Sequence, residues 1–145
     1  YPVPLTLQTV AVMLLGLTYA PRRILQSYAL WMGSALVGFP VLAGFKGGMV
    51  SLLGPTGGYI GGFCVASYVI AILKKRFSLS SWKADLGLTL MGTCFIFMLG
   101  VPWLAYFVGW EKAFFSGVLP FIIPGFVKAG LLCTALQIYR YVRPQ

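Results

Sequence analysis

Histidine is absent from this 145-residue chain, and acidic side chains nearly so: Asp85 and Glu111 are the two carboxylates. A histidine-based triad, a pair of carboxylates dividing acid and base work, and a carboxylate-held divalent metal therefore lack raw material. Cys64, Cys94 and Cys133 stand in separate apolar runs without CxxC spacing. Such cysteines pack as small hydrophobes more readily than they bind metal or cycle electrons. No GxxxxGK[ST] phosphate loop occurs either, so the chain brings no ATPase of its own. The expectation is a non-enzyme with no catalytic residue, no metal and no cofactor. Linkers and low-complexity stretches are also missing, which predicts one domain over residues 1–145.

Apolar residues are what the chain has instead. With 59% hydrophobic and 9% charged residues and a mean hydropathy of +0.90, it reads as a polytopic, all-α membrane helix bundle. Five apolar runs predict helices at about residues 5–20, 24–43, 57–76, 84–108 and 121–142. At 1.5 Å per residue, the first and third runs are short for a hydrocarbon core of about 30 Å. A formal charge of +9 would suggest nucleic acid if the cations shared a surface. Here they cluster between apolar runs, which makes them topology determinants. Alternating crossings put Arg22, Arg23, Lys74, Lys75, Arg76, Lys83, Arg140 and Arg143 on one face, cytoplasmic by the positive-inside rule. The chain's first residue is then external and its last cytoplasmic. Residues 1–4 put no basic region ahead of the first apolar core and are expected outside, so residues 5–20 do not read as a cleavable signal peptide.

Polar groups inside the apolar runs are the candidate site. The string GPTGGY, Gly54 to Tyr59, breaks helix at membrane depth, where unpaired backbone is tolerated only in protein or around a polar cavity. Thr56, Tyr59 and the amides of Gly57 and Gly58 are expected to face a ligand. Lys128, two turns into the last run, has no acid nearby in sequence. It either snorkels to the headgroups or meets an anionic ligand. Pro4, Thr6, Gln8 and Thr9 form a second polar cluster, as helix caps or as readers of a solute edge. Trp103 and its aromatic neighbours are an interfacial belt or a pocket wall, and Lys46 lies in a glycine-rich external connection. Gly61, Gly62 and Ala66 are expected to pack against a second helix.

PVPLTLQT at Pro2–Thr9, AGFKGG at Ala43–Gly48, LLGPTGGYIGGF at Leu52–Phe63, GVPWLA at Gly100–Ala105, and LPF followed by Lys128-Ala129 closely resemble the BioY family. Its members are biotin-specific S components of energy-coupling factor (ECF) transporters, in prokaryotic cell membranes. The resemblance implies a six-helix S-component fold with one helix expected upstream of Tyr1. It also implies one biotin bound near the external face, a transmembrane coupling subunit and two ATP-hydrolysing subunits as partners, and no nucleic acid. The family pattern PFxPGDxxKA reads PFIIPGFVKA here, so its Asp is replaced at Gly125 or Phe126, depending on the anchor. The implied site sets the biotin carboxylate near Lys128, with Lys46 as a second cation. The ureido ring then meets Thr56, Tyr59, Gly57 and Gly58, and Trp103 covers the thiophane ring; either backbone carbonyls, Gln8 or Ser51 compensate for the missing acid, or the preferred ligand has shifted. A solitary facilitator for a small carboxylate, and a structural membrane partner without ligand, remain alternatives.

Overall fold

A computed structural model describes residues 6–143, all-helical apart from turns and one isolated bridge. Pro4 of the expected polar cluster and Leu5, the first residue of the first expected helix, lie outside the described residues. Seven helices follow in order: α1 Gln8–Thr18, α2 Pro21–Val37, α3 Met49–Leu52, α4 Gly57–Phe77, α5 Trp82–Val108, α6 Trp110–Gly117 and α7 Leu119–Val142. Five correspond to the apolar runs. The short α3 and α6 sit in the connections between those runs.

Local chemistry sets the boundaries. Pro21 opens α2 at a position where a missing N–H is harmless. The same helix closes at Gly38 (φ 102°), whose N–H and that of Phe39 return to Ala35 and Ser34 carbonyls. The run expected to continue to residue 43 therefore stops at Val37, and residues 39–48 fold back instead. Trp31 Nε1 donates to Val41 O at 2.9 Å, and Leu42 N to Lys46 O at 2.9 Å, pinning that loop over the bundle. Ser81 caps α5 by accepting from Ala84 N.

Helix α4 is central, packed on by α5, α1 and α2. Small residues allow this. A Cβ on Gly62 would come within 2.9 Å of Ile96 Cα on α5, and Ala66 is fully buried. Gly61 departs from its expected packing role: it is exposed, and a Cβ there would meet nothing within 4 Å. A single residue step along α4, about 100° of rotation, separates a closed face from an open one. Gly62→Ala should accordingly lower unfolding stability in detergent by about 1–3 kcal/mol, because backbone rather than a flexible side chain is in the way. Gly61→Ala should be neutral or stabilising by up to about 1 kcal/mol. Equal effects at the two positions would refute this packing.

The outer surface suits lipid. Leu30, Val37, Met98, Tyr106, Ile123 and Leu131 are all exposed apolar side chains. Gly57–Phe77, Trp82–Val108 and Trp110–Val142 are long and apolar enough to cross a membrane. At one end of the bundle, Asp85 is fully buried on α5, bridged by Lys74 of α4 and, at 2.6 Å, by Arg140 Nη1 of α7. Arg140 Nη1 also donates to Ser80 O at 2.9 Å. Two cations expected only to orient the chain thus lock three helix ends together.

Candidate binding cavity

A cavity of about 230 Å³ opens among α1, α4, α5, α7 and the residue 39–48 loop. It has the scale of one small molecule. Met13, Phe63, Ile96, Phe97, Phe121 and Leu132 form its apolar wall, with polar side chains on three sides. Thr6, Gln8 and Thr9 come from the α1 entry, Ser51 from α3, Thr56 from the break before α4, and Thr89 and Thr93 from mid-α5.

Lys128 projects into this cavity from α7, and its Nζ donates to Thr6 O at 2.7 Å. It does not reach for headgroups. Among the described residues its ammonium has no carboxylate partner: Asp85 is occupied by Lys74 and Arg140 at the other end of the bundle. The ammonium has three donors, so a single carbonyl leaves capacity for an anion. A charged Lys at membrane depth costs about 2.5–3.5 kcal/mol on insertion scales, a cost that such an anion would offset. Lys46 lines the same cavity from the loop and is exposed.

Five of the eight expected ligand residues, Lys128, Thr56, Tyr59, Gln8 and Lys46, converge on this cavity. Three do not. Gly57 N donates to Gly54 O at 2.9 Å, so that amide is consumed by the turn itself. Gly58 lies against α5, where a Cβ would come within 2.3 Å of Trp103 Cβ. Trp103 is neither a cavity wall nor simply a belt residue: its Nε1 donates to Gly54 O at 2.9 Å and staples the GPTGGY turn to α5. Within the break, the Gly57 amide and the Gly54 carbonyl are thus paired by protein, and Gly57 and Gly58 allow close approach of their neighbours. Tyr59 contributes its ring, because its buried hydroxyl donates to Gly117 O at 3.1 Å.

The structure also separates the two alignments of the last helix. Gly125 lines the cavity, with no neighbouring atom within 4 Å of a would-be Cβ, whereas Phe126 is exposed and does not line it. The sequence reading missed Thr89 and Thr93. Their signal was available as two hydroxyls spaced i, i+4 on one face of an otherwise apolar helix.

Comparison with known proteins agrees with this architecture. The family model described as "BioY family" matches residues 1–144. A probable biotin transporter BioY of Pyrococcus horikoshii is 44% identical over 128 residues, 88% of this chain and 75% of that protein. The biotin transporter BioY of Thermotoga maritima is 35% identical over 122 residues, covering 83% and 71% respectively. Among solved structures, the S-component for biotin from an ECF-type ABC transporter superposes with a TM-score of 0.85 at 29% identity, over 98% of this chain and 78% of that one. With a family match over nearly its full length and an S-component fold, this multi-pass membrane chain belongs to the BioY family.

Proposed function

We propose that this chain is the biotin-capturing subunit of an ECF transporter, a transport rather than a catalytic role. The observation that carries the reading is the Lys128 ammonium, held inside a small, largely apolar cavity where the neutral Thr6 carbonyl is its one hydrogen-bond partner among the described residues. A carboxylate entering the cavity supplies the missing charge. The ligand's acid group binds Lys128, Gln8 and Thr56 offer polar contacts beside it, and Lys46 draws anions toward the mouth. Phe63, Phe97 and Phe121 enclose the apolar remainder.

The whole chain acts as one integral membrane domain in a prokaryotic cell membrane. Its basic end, with Lys74 and Arg140, faces the cytoplasm, and its first residue lies outside. ATP hydrolysis comes from two partner subunits through a transmembrane coupling subunit, in keeping with the lack of a phosphate loop in this sequence. The likeness to named biotin transporters and to a biotin S-component supports the choice of vitamin.

Equilibrium binding of labelled biotin to purified protein tests it. Saturation at one biotin per chain, displaced by unlabelled biotin and poorly by other carboxylate vitamins, is the expected result. Stronger displacement by a different vitamin would overturn the ligand assignment.

A further inference from the structure

Thr89 and Thr93 stand one helical turn apart on α5 and both face the cavity. Their protons are already committed: Thr93 Oγ1 donates to Thr89 O at 2.9 Å, and Thr89 Oγ1 to Asp85 O at 2.8 Å. A hydroxyl that has given its one proton to main chain has only lone pairs to offer a third group. These two positions are therefore acceptors, in a cavity whose lining contains no carboxylate.

Depth distinguishes them from the other hydroxyls. Thr89 Oγ1 lies 3.9 Å from Cys133 Sγ on α7. Cys133 is five residues beyond Lys128 toward the Arg140 end, about 7.5 Å further along the α7 axis at the backbone. Ser51 has likewise given its proton, to Gly47 O at 2.9 Å, but it belongs to α3, beside the loop that carries Lys46. Met13, Phe63, Ile96 and Leu132 share the cavity with the threonine pair. An apolar bicyclic head bearing two N–H groups needs such a place: dry walls, and acceptors where its donors would otherwise go unpaired.

We infer that Thr93, with Thr89 beneath it, accepts the ureido N–H groups of the ligand and fixes it head-down, carboxylate at Lys128 and ring on the threonine floor. This rests on the reading that the ligand is a biotin-like acid held by Lys128. It adds a selection rule: heads that present N–H donors are accepted, and heads that present only lone pairs are rejected. The two threonines take the acceptor role for which no acidic side chain lines the cavity.

The test compares wild-type protein with Thr93→Val, Thr93→Ser and Lys128→Met, measuring labelled biotin against unlabelled biotin and against biotin methylated on both ureido nitrogens. Val keeps the shape of Thr and removes the acceptor. Wild-type protein should prefer biotin over the methylated compound. In Thr93→Val, biotin should bind about tenfold or more weakly, as expected when a buried N–H loses its acceptor, and the preference should shrink by a similar factor. Thr93→Ser should restore most of both. Because the preference is a ratio within one variant, a change in folded fraction cannot imitate it. If Lys128→Met abolishes retention while Thr93→Val keeps both affinity and preference, the head-down placement is wrong and the carboxylate reading stands. If wild-type protein does not retain biotin, both fall together.

Discussion

Replacing Lys128 by Met is expected to weaken biotin binding by at least about a hundredfold while leaving the bundle folded. The substitution preserves side-chain length and removes the charge. Breaking a buried ion pair by deleting one partner costs about 3–5 kcal/mol, because the surviving charge stays desolvated; here the survivor is the ligand's carboxylate. Among the described residues, the free protein loses a hydrogen bond to Thr6 O, worth about 1.5–3 kcal/mol for a charged donor. It also sheds the cost of holding a cation at depth. Stability should therefore hold or rise as affinity falls, a pairing that distinguishes ligand recognition from structural support. Lys128→Arg should retain part of the affinity, since it keeps the charge but changes its reach. Biotin titrations and thermal unfolding in the same detergent check both arms. Unchanged affinity in Lys128→Met would remove this residue from the site.

At the opposite end of the bundle, Asp85→Asn should produce the largest loss of stability of any single substitution described here. Asp85 is fully buried, while the Lys74 and Arg140 side chains that bind it are 18% and 28% exposed. Neutralising the acid leaves two cations facing each other where α4, α5 and α7 meet. Partial exposure of the cations moderates the penalty, so about 3 kcal/mol of unfolding free energy is expected. A triple variant, Lys74→Met with Asp85→Leu and Arg140→Met, should recover much of that loss, because apolar groups of similar volume replace buried ion pairs without desolvation cost. Unfolding in detergent measures both. A single variant as stable as wild type would show that the three helix ends hold together without the ion cluster.

The two experiments probe residues that looked alike in one dimension. Lys74 and Arg140 were legible as charges flanking apolar runs, and Asp85 as an isolated acid near a rim. Nothing within 10 residues of Asp85 marks both partners, since Lys74 precedes it by 11 positions and Arg140 follows by 55. Lys128 was easier to read. A single ammonium in the middle of an apolar run is anomalous whatever surrounds it, so the sequence alone made it a suspect. The glycines of the GPTGGY string were anomalous for the same reason, but an unusual local backbone has two uses, offering donors to a ligand or letting another element come close. Trp103, 49 residues away from Gly54, settles the second use for Gly58 by packing against it and tying down the Gly54 carbonyl.

Composition and local spacing by themselves determined that this protein lies in a membrane, crosses it as helices, and lacks the groups that acid–base or metal chemistry needs. Those properties follow from what each residue does in water or lipid, which requires no knowledge of its distant neighbours. Only the tertiary structure decided which polar groups share a cavity: Thr89 and Thr93 entered it, Gly57, Gly58 and Trp103 left it, and Gly61 turned outward from the interface that Gly62 closes. The reason is geometric. A helix places a residue on a face every 100° or so, but which face meets a partner depends on how α4 is packed by α5, α1 and α2 together.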